Sequence, residues 1–251
     1  MTTTLTGKSA LVTGSTSGIG AAIARRLAGD GAHVVVSGRS AQRGEAVVAA
    51  IVAKGGQATF VQADLGAGEA AVRSLADAAS SAVGGDIDVL VNNAAVIVHP
   101  APTGEVTGET ITQALAVNVT APFLLTGILA TKMAAKGHGS VINIGSINGL
   151  VGMAQVALYS TTKAAIHSLT LSWAAEFAIQ GVNVNTVAPG PTATEGNLAI
   201  EEMLAPIIAA IPSGRMSTPE EIAAVVAFLA SEAGSNIHGS TIAVDGGYSI
   251  V

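Results

Sequence analysis

The feature that most constrains this chain is an alternation. Short β-branched runs recur at 10–13, 33–36, 58–61, 87–91, 141–144, 182–187 and 241–244. Longer alanine-rich stretches separate them, and those at 18–29, 41–54, 67–83, 109–136, 155–180 and 219–231 read as helices. Strands that alternate with helices pair in parallel, because each helix carries the chain back to the edge where the next strand starts. Parallel strands are covered on both faces, so they read as continuous apolar runs rather than alternating ones. The expectation is a doubly wound α/β fold with a seven-stranded parallel sheet. No Pro/Ser-rich linker, charge run or internal repeat interrupts the pattern, so residues 1–251 are read as one domain. One segment breaks the rhythm. Between Pro189 and Pro219 lie Pro191, Pro206 and Pro212 with Gly190, Gly196 and Gly214. It is expected to hold one or two short helices, with 191–212 acting as a lid.

The chain is 49% hydrophobic and only 11% charged, with a mean hydropathy of +0.56. A typical soluble domain carries roughly 25% charge, so a membrane has to be considered. The longest uninterrupted apolar stretch, Ile222 to Ala230, is bounded by Glu221 and Ser231. A spanning helix needs about 18 apolar residues. The N-terminal Met1–Lys8 has no basic patch followed by an apolar core. Neither a membrane span nor a signal peptide is expected. The net charge of −6 argues against nucleic acid, which selects a basic face. The absence of Cys excludes disulfides, thiolate nucleophiles and Cys-based metal sites, and fits a cytoplasmic setting. The five His are scattered singly, without ligand spacing, so no metal is expected. So much apolar surface must be hidden inside the chain or between chains.

After the first run comes Thr13-Gly14-Ser15-Thr16-Ser17-Gly18-Ile19-Gly20, directly before a helix. Glycines let the backbone turn sharply and approach a pyrophosphate, while a helix N-terminus offers N–H groups and a positive dipole end. The spacing, G-x-x-x-G-x-G, lacks the Lys-Ser/Thr of a triphosphate loop. A dinucleotide is favoured over a ligand-free tight turn. The second run ends Val36-Ser37-Gly38-Arg39-Ser40, without a carboxylate to hold a ribose 2′-OH and with Arg43 close by. An arginine there accommodates a 2′-phosphate, so NADP(H) is favoured over NAD(H).

The fifth run ends at Ser146, and thirteen residues later Tyr159 and Lys163 stand at i and i+4 of a helix. A free phenol titrates near 10 and is a poor base at neutral pH. A neighbouring ammonium is expected to lower that value and make Tyr159 a proton donor or acceptor at a carbonyl or alcohol, with Ser146 holding the same oxygen.

Taken together, these motifs resemble the short-chain dehydrogenase/reductase family over essentially the whole chain. To the glycine turn and the Ser–Tyr–Lys set are added Asp64 in Ala63-Asp64-Leu65, Asn92-Asn93-Ala94-Ala95 and Asn118 in Val117-Asn118-Val119. Pro189-Gly190 followed by Thr194, and Asp245-Gly246-Gly247, complete them. Ala95 stands where the family usually has Gly, and His238 where it usually has Thr. The resemblance implies a Rossmann-like oxidoreductase. Tyr159 would be the acid/base, Ser146 the carbonyl holder, and Lys163 both tuner of Tyr159 and ligand of the nicotinamide ribose. Asn118 would position a water behind Lys163. Asp64, beside Leu65, would bind the adenine amino group. Asn92 would stabilise the sheet and contact the cofactor, with Ala94 beside it, and Pro189, Gly190, Thr192 and Thr194 would stand near the carboxamide. It also implies a homotetramer formed through the helices at 109–136 and 155–180, including Trp173 and Phe177, with Tyr248–Val251 as a further contact.

Residues expected around the substrate are His99, Asn148, Met153, Gln155, Leu198 and Met203. They are largely uncharged, and no Lys or Arg lies between Lys163 and Arg215, so a small neutral ketone or alcohol fits best. One alternative is a 3-oxoacyl-carrier-protein reductase, which would need a basic docking surface; Lys132 and Lys136 are the one cluster available. A less favoured alternative is a non-catalytic dinucleotide sensor, from which loss of Tyr or Lys would be expected.

Overall fold

The computed structural model describes residues 4–250, so Met1–Thr3 and Val251 of the expected C-terminal contact lie outside the described residues. Among those described, seven strands form one sheet: β1 (Ser9–Val12), β2 (His33–Gly38), β3 (Gln57–Gln62), β4 (Val89–Asn92), β5 (Gly139–Ile144), β6 (Val182–Pro189) and β7 (Thr241–Val244). Their order is β3-β2-β1-β4-β5-β6-β7, every pair parallel. The order reverses between β1 and β4, which opens a crevice at the carboxyl edge of the sheet.

The strand pleat divides the core. Val12, Val34, Val36 and Ile142 point to one face, where α1 (Gly18–Gly29) and α9 (Pro219–Ala230) supply Ile23, Leu27, Ile222 and Val226. Leu11, Val35, Leu90 and Val184 point to the other, against α3 (Glu69–Val83), α5 (Ala121–Lys136) and α6 (Ala157–Phe177). α2 (Ala41–Val52) covers the β3 side with Val47 and Ile51. Helix starts follow their capping chemistry. Thr218 and Glu221 form a reciprocal capping box ahead of Pro219.

The expected 109–136 helix is interrupted. α4 (Gly108–Leu115) passes into a π-helical turn at Ala116–Thr120 before α5 begins. The extra residue in that turn brings buried Asn118 toward the site. Gly108–Lys136 is, by length and composition alone, apolar enough to cross a membrane, but 44% of its most apolar window is buried inside the protein. The 191–212 segment carries two short helices, α7 (Glu195–Leu198) and α8 (Glu201–Ala209).

Trp173 and Phe177 belong to the core, 5% and 7% exposed, and not to an outer face as expected. Trp173 meets Phe123 edge-on with ring centroids 5.8 Å apart. Among the apolar groups left outside are Phe123, Leu171 and Ile179, at 51%, 61% and 92% exposure.

Truncating Ile142, which is fully buried in the interior strand β5, is expected to cost about 2–5 kcal/mol. Chemical denaturation of Ile142→Ala followed by circular dichroism measures it.

Candidate active site

The carboxyl ends of the strands line one cleft of about 680 Å³. Its floor is the turn after β1. Gly14 and Gly18 adopt φ of +62° and +52°, in the left-handed region that favours glycine. A Cβ on Gly14 would lie 2.7 Å from the Ala94 Cα, and one on Gly20 would overlap Asn93 Nδ2 and the Gly14 carbonyl. Ser17 caps α1 without a side-chain hydrogen bond, which leaves the helix N-terminus facing the cleft. Thr16, Gly18, Ile19 and Gly20 line the cleft with Arg39, Arg43, Asp64, Leu65 and Ala94, as do Pro189, Gly190, Thr192 and Thr194 on the far side. Arg39 and Arg43 are exposed, and among the described residues neither takes part in an ion pair. The C-terminal Asp-Gly-Gly motif supports this wall. Asp245 accepts the Gly247 and Ser249 amides, and its backbone leaves no room for a Cβ on Gly190.

Two expected cofactor contacts point elsewhere. Ser15 is fully buried; its Oγ donates to the Val12 carbonyl and accepts the Ser37 amide, and its own N–H donates to the Ser37 carbonyl. It welds the turn to β2. Asn92 is buried between strands, its Nδ2 donating to Thr126 Oγ1 and Asn143 Oδ1. Its neighbour Asn93 does the work at the turn, with Nδ2 donating to the Thr13 and Gly14 carbonyls at 2.8 and 3.0 Å. Asn92 thus has the expected role in the sheet, while Asn93, to which the sequence assigned no role, serves the loop.

Ser146, Tyr159 and Lys163 share the opposite wall. Ser146 follows β5 by two residues and accepts the Asn148 amide on Oγ at 3.1 Å. Lys163 is 4% exposed, and its Nζ donates to the Ile144 carbonyl at 2.8 Å. Burial pushes its pKa down to about 8. The same Nζ lies 5.6 Å from the centre of the Tyr159 ring. Contrary to the sequence expectation, the Tyr159 hydroxyl is raised above its ordinary value, because burial outweighs the hydrogen bond to the Ser146 side chain that pulls it down. The resting phenol is therefore a proton donor.

Asn118 stands behind Lys163, and both ends of its side-chain amide are hydrogen-bonded. Oδ1 accepts the Val96 amide, and Nδ2 donates to the Val96 carbonyl and Thr162 Oγ1. It clamps the loop after β4 to α6.

None of the six expected substrate residues lines the cleft; Ile97, Gln113, Val117, Glu195 and Asn197 do. His99 is exposed, and Asn148 contributes only its backbone amide to Ser146. Met153 is half-buried, and Gln155, at φ +67°, accepts the Ala101 amide. Leu198 and Met203 project from α7 and α8 at 50% and 75% exposure. Lys136 pairs with Asp88 ahead of β4, at 2.6 Å. That is the amino edge of the sheet, away from the cleft, so the Lys132/Lys136 cluster does not border the entrance.

Residues 14–249 match the family model described as enoyl-(acyl carrier protein) reductase. The rabbit (Oryctolagus cuniculus) dehydrogenase/reductase SDR family member 4 is 40% identical, over 97% of this chain and 94% of its own. The chain belongs to the short-chain dehydrogenase/reductase family. Within it, the cis-4-hydroxycyclohexanecarboxylate dehydrogenase of Sinomonas cyclohexanicum is 39% identical over 96% of each chain. A 3-oxoacyl (acyl-carrier-protein) reductase from Agrobacterium tumefaciens, solved with NADP bound, superimposes with a TM-score of 0.92 at 38% identity, covering 98% of this chain and 96% of that one. The protein is thus an oxidoreductase of this family, acting on alcohol or carbonyl groups.

A methyl at Gly20 would overlap Asn93 Nδ2 and the Gly14 carbonyl and is expected to push the turn out of the shape that receives a pyrophosphate. Gly20→Ala should weaken NADPH binding at least about tenfold in a fluorescence titration while its circular dichroism stays that of the parent.

Proposed function

We propose that this protein interconverts a small, neutral, largely apolar ketone and the corresponding secondary alcohol, using NADP(H) in preference to NAD(H). The observation that carries this reading is the meeting of Ser146, Tyr159 and Lys163 on one wall of the glycine-floored cleft. Hydride chemistry comes from the nicotinamide when the cofactor is bound; the chain orients the partners and handles the proton. The α1 N-terminus and the Gly14–Gly20 turn hold the pyrophosphate. Arg39 and Arg43 take the 2′-phosphate, and Asp64 and Leu65 border the adenine. Lys163 holds the ribose, with Thr192 and Thr194 near the carboxamide. Ser146 hydrogen-bonds the substrate oxygen, and Tyr159 gives that oxygen its proton in reduction or removes it in oxidation. Asn118 acts by fixing Val96 and Thr162 behind Lys163.

The neutral-substrate reading is supported by charge. Glu195 borders the cleft, Glu201 and Glu202 open α8, and no Lys or Arg lies between Lys163 and Arg215. These carboxylates repel anionic substrates and acidic carriers alike. The named reductase relative keeps the carrier-protein substrate as the second reading, whereas retention of both Tyr159 and Lys163 argues against a non-catalytic sensor. Residues 1–251 are read as one catalytic domain with 191–212 as a lid, whose closure would cover Leu198 and Met203. Exposed Phe123, Leu171 and Ile179 support assembly, which we take to be a homotetramer, and the lack of Cys supports a cytoplasmic setting.

Tyr159→Phe is expected to lower kcat at least about a thousandfold with NADPH affinity kept within a few-fold. Steady-state rates and fluorescence titration measure the two. Assays of an alcohol and ketone panel with each cofactor should favour NADP over NAD, and Arg39→Leu should remove most of that preference without slowing the NAD reaction. Because Tyr159 rests as the phenol, alcohol oxidation, which needs the phenolate, should climb as pH is raised from 7 to 10. Carbonyl reduction should not. Rate profiles in both directions test this.

A further inference from the structure

His167 lies one turn beyond Lys163 on α6 and is 8% exposed, yet the proposed reaction gives it no part. The Ser146 loop rests on its ring. The Ser146 N–H donates to Nε2 at 3.5 Å. A Cβ on Gly145 would overlap Nε2, and one on Gly149 would lie 2.8 Å from Cε1. The two glycines bracketing Ser146-Ile147-Asn148 thus leave room for the imidazole. Since Nε2 accepts, the ring proton belongs on Nδ1, which is buried without a hydrogen-bond partner among the described residues.

We propose that the neutral His167 imidazole is a positioning residue, seating the Gly145–Gly149 loop and fixing Ser146 through its N–H so that the Ser146 hydroxyl meets Tyr159 and the substrate oxygen. It touches neither substrate nor cofactor and acts through Ser146. Protonation would turn Nε2 into a donor facing another donor and set a second cation near Lys163. Among the described residues Lys163 is the one charged group acting on the ring; from the loop the ring faces the Ser146 N–H and the Gly145 and Gly149 backbone, and Thr186 of β6 lies beside Gly145. Burial first, then the Lys163 charge, holds the His167 pKa below its usual 6.5, against the weaker opposing pull of the Gly149 backbone, which favours the protonated ring. The seat is therefore intact at neutral pH and is lost on acidification below that range.

This inference rests on the dehydrogenase reading for its kinetic arm only. His167→Gln keeps an acceptor near the Nε2 position and cannot take up a proton in this range; His167→Leu keeps bulk and loses the acceptor. For His167→Leu, kcat should fall about 10- to 100-fold with NADPH affinity unchanged. His167→Gln should retain most of kcat and lose the acid limb expected of the parent below pH 6.5. Parental kcat in His167→Leu, or an acid limb that survives in His167→Gln, overturns the proposal. A second arm needs no turnover. In nuclear magnetic resonance of the parent, the His167 ring should be the Nδ1–H tautomer, and the Ser146 amide should shift with the ring's titration. An Nε2–H tautomer, or a Ser146 amide indifferent to that titration, overturns the proposal even if folding of the variants fails. A parent inactive on every alcohol and ketone, with the Ser146 amide still tracking His167, would fail the dehydrogenase reading and leave the seat standing.

Discussion

Everything in this molecule follows from the requirement that its strands run in parallel. A parallel sheet has no hairpins, so each strand needs a crossover, and all seven strands finish at the same edge. That edge gathers Thr13, Gly38, Ile144 and Pro189, which are widely separated in sequence. The reversal of strand order between β1 and β4 parts the flanking connections and makes the cleft. The glycine turn leaves β1 on one side of this divide, and the Ser146 loop leaves β5 on the other. The fold therefore delivers a cofactor floor and a proton-handling wall to one place.

The wall is stabilised by polar groups that the core must satisfy. Asn92 bonds Asn143, Asn143 bonds Thr170, and Thr170 shares a hydrogen bond with Thr186, so β4, β5, α6 and β6 are tied by one buried chain. An unsatisfied buried donor costs about 1–3 kcal/mol, and these pairings fix the rotation of α6 about its axis. That rotation aims Tyr159 and Lys163 at the cleft while His167 faces the loop beneath it. Lys163 needs this support most. It is a buried cation with a carbonyl for a partner rather than a carboxylate.

Much of this was legible in the residues. Apolar runs and alanine-rich spacers gave the strand count and the parallel sheet, since burial on both faces leaves its mark directly on composition. Glycines at a turn are legible because only they tolerate positive φ or close backbone approach. Spacing on a helix placed Tyr159 beside Lys163, but could not weigh burial against charge, and burial governs the phenol. Asn93 carried no legible role until the register of β4 put the Asn92 side chain between strands and its own under the turn. The substrate residues were the least legible. His99, Met153 and Gln155 sit on irregular connections, where no periodicity says which way a side chain points. Trp173 and Phe177 looked like outer-face residues because apolar and polar residues are spread around α6 without one clear stripe, a pattern that hides which side is inside.

The π turn at Ala116–Thr120 bears on the geometry of the whole helical rod. One additional residue in a helix swings whatever follows by about 100°. Upstream of the turn the rod buries Ala114; downstream it buries Leu125, Leu129 and Met133 against α3 and the sheet. A single length of helix thus works as a torsional joint, presenting differently angled surfaces on its two halves without a break in the rod. Asn118 occupies the joint, so the group that clamps the catalytic wall also sits where the two halves change orientation, and the angle of one cannot drift without disturbing the other.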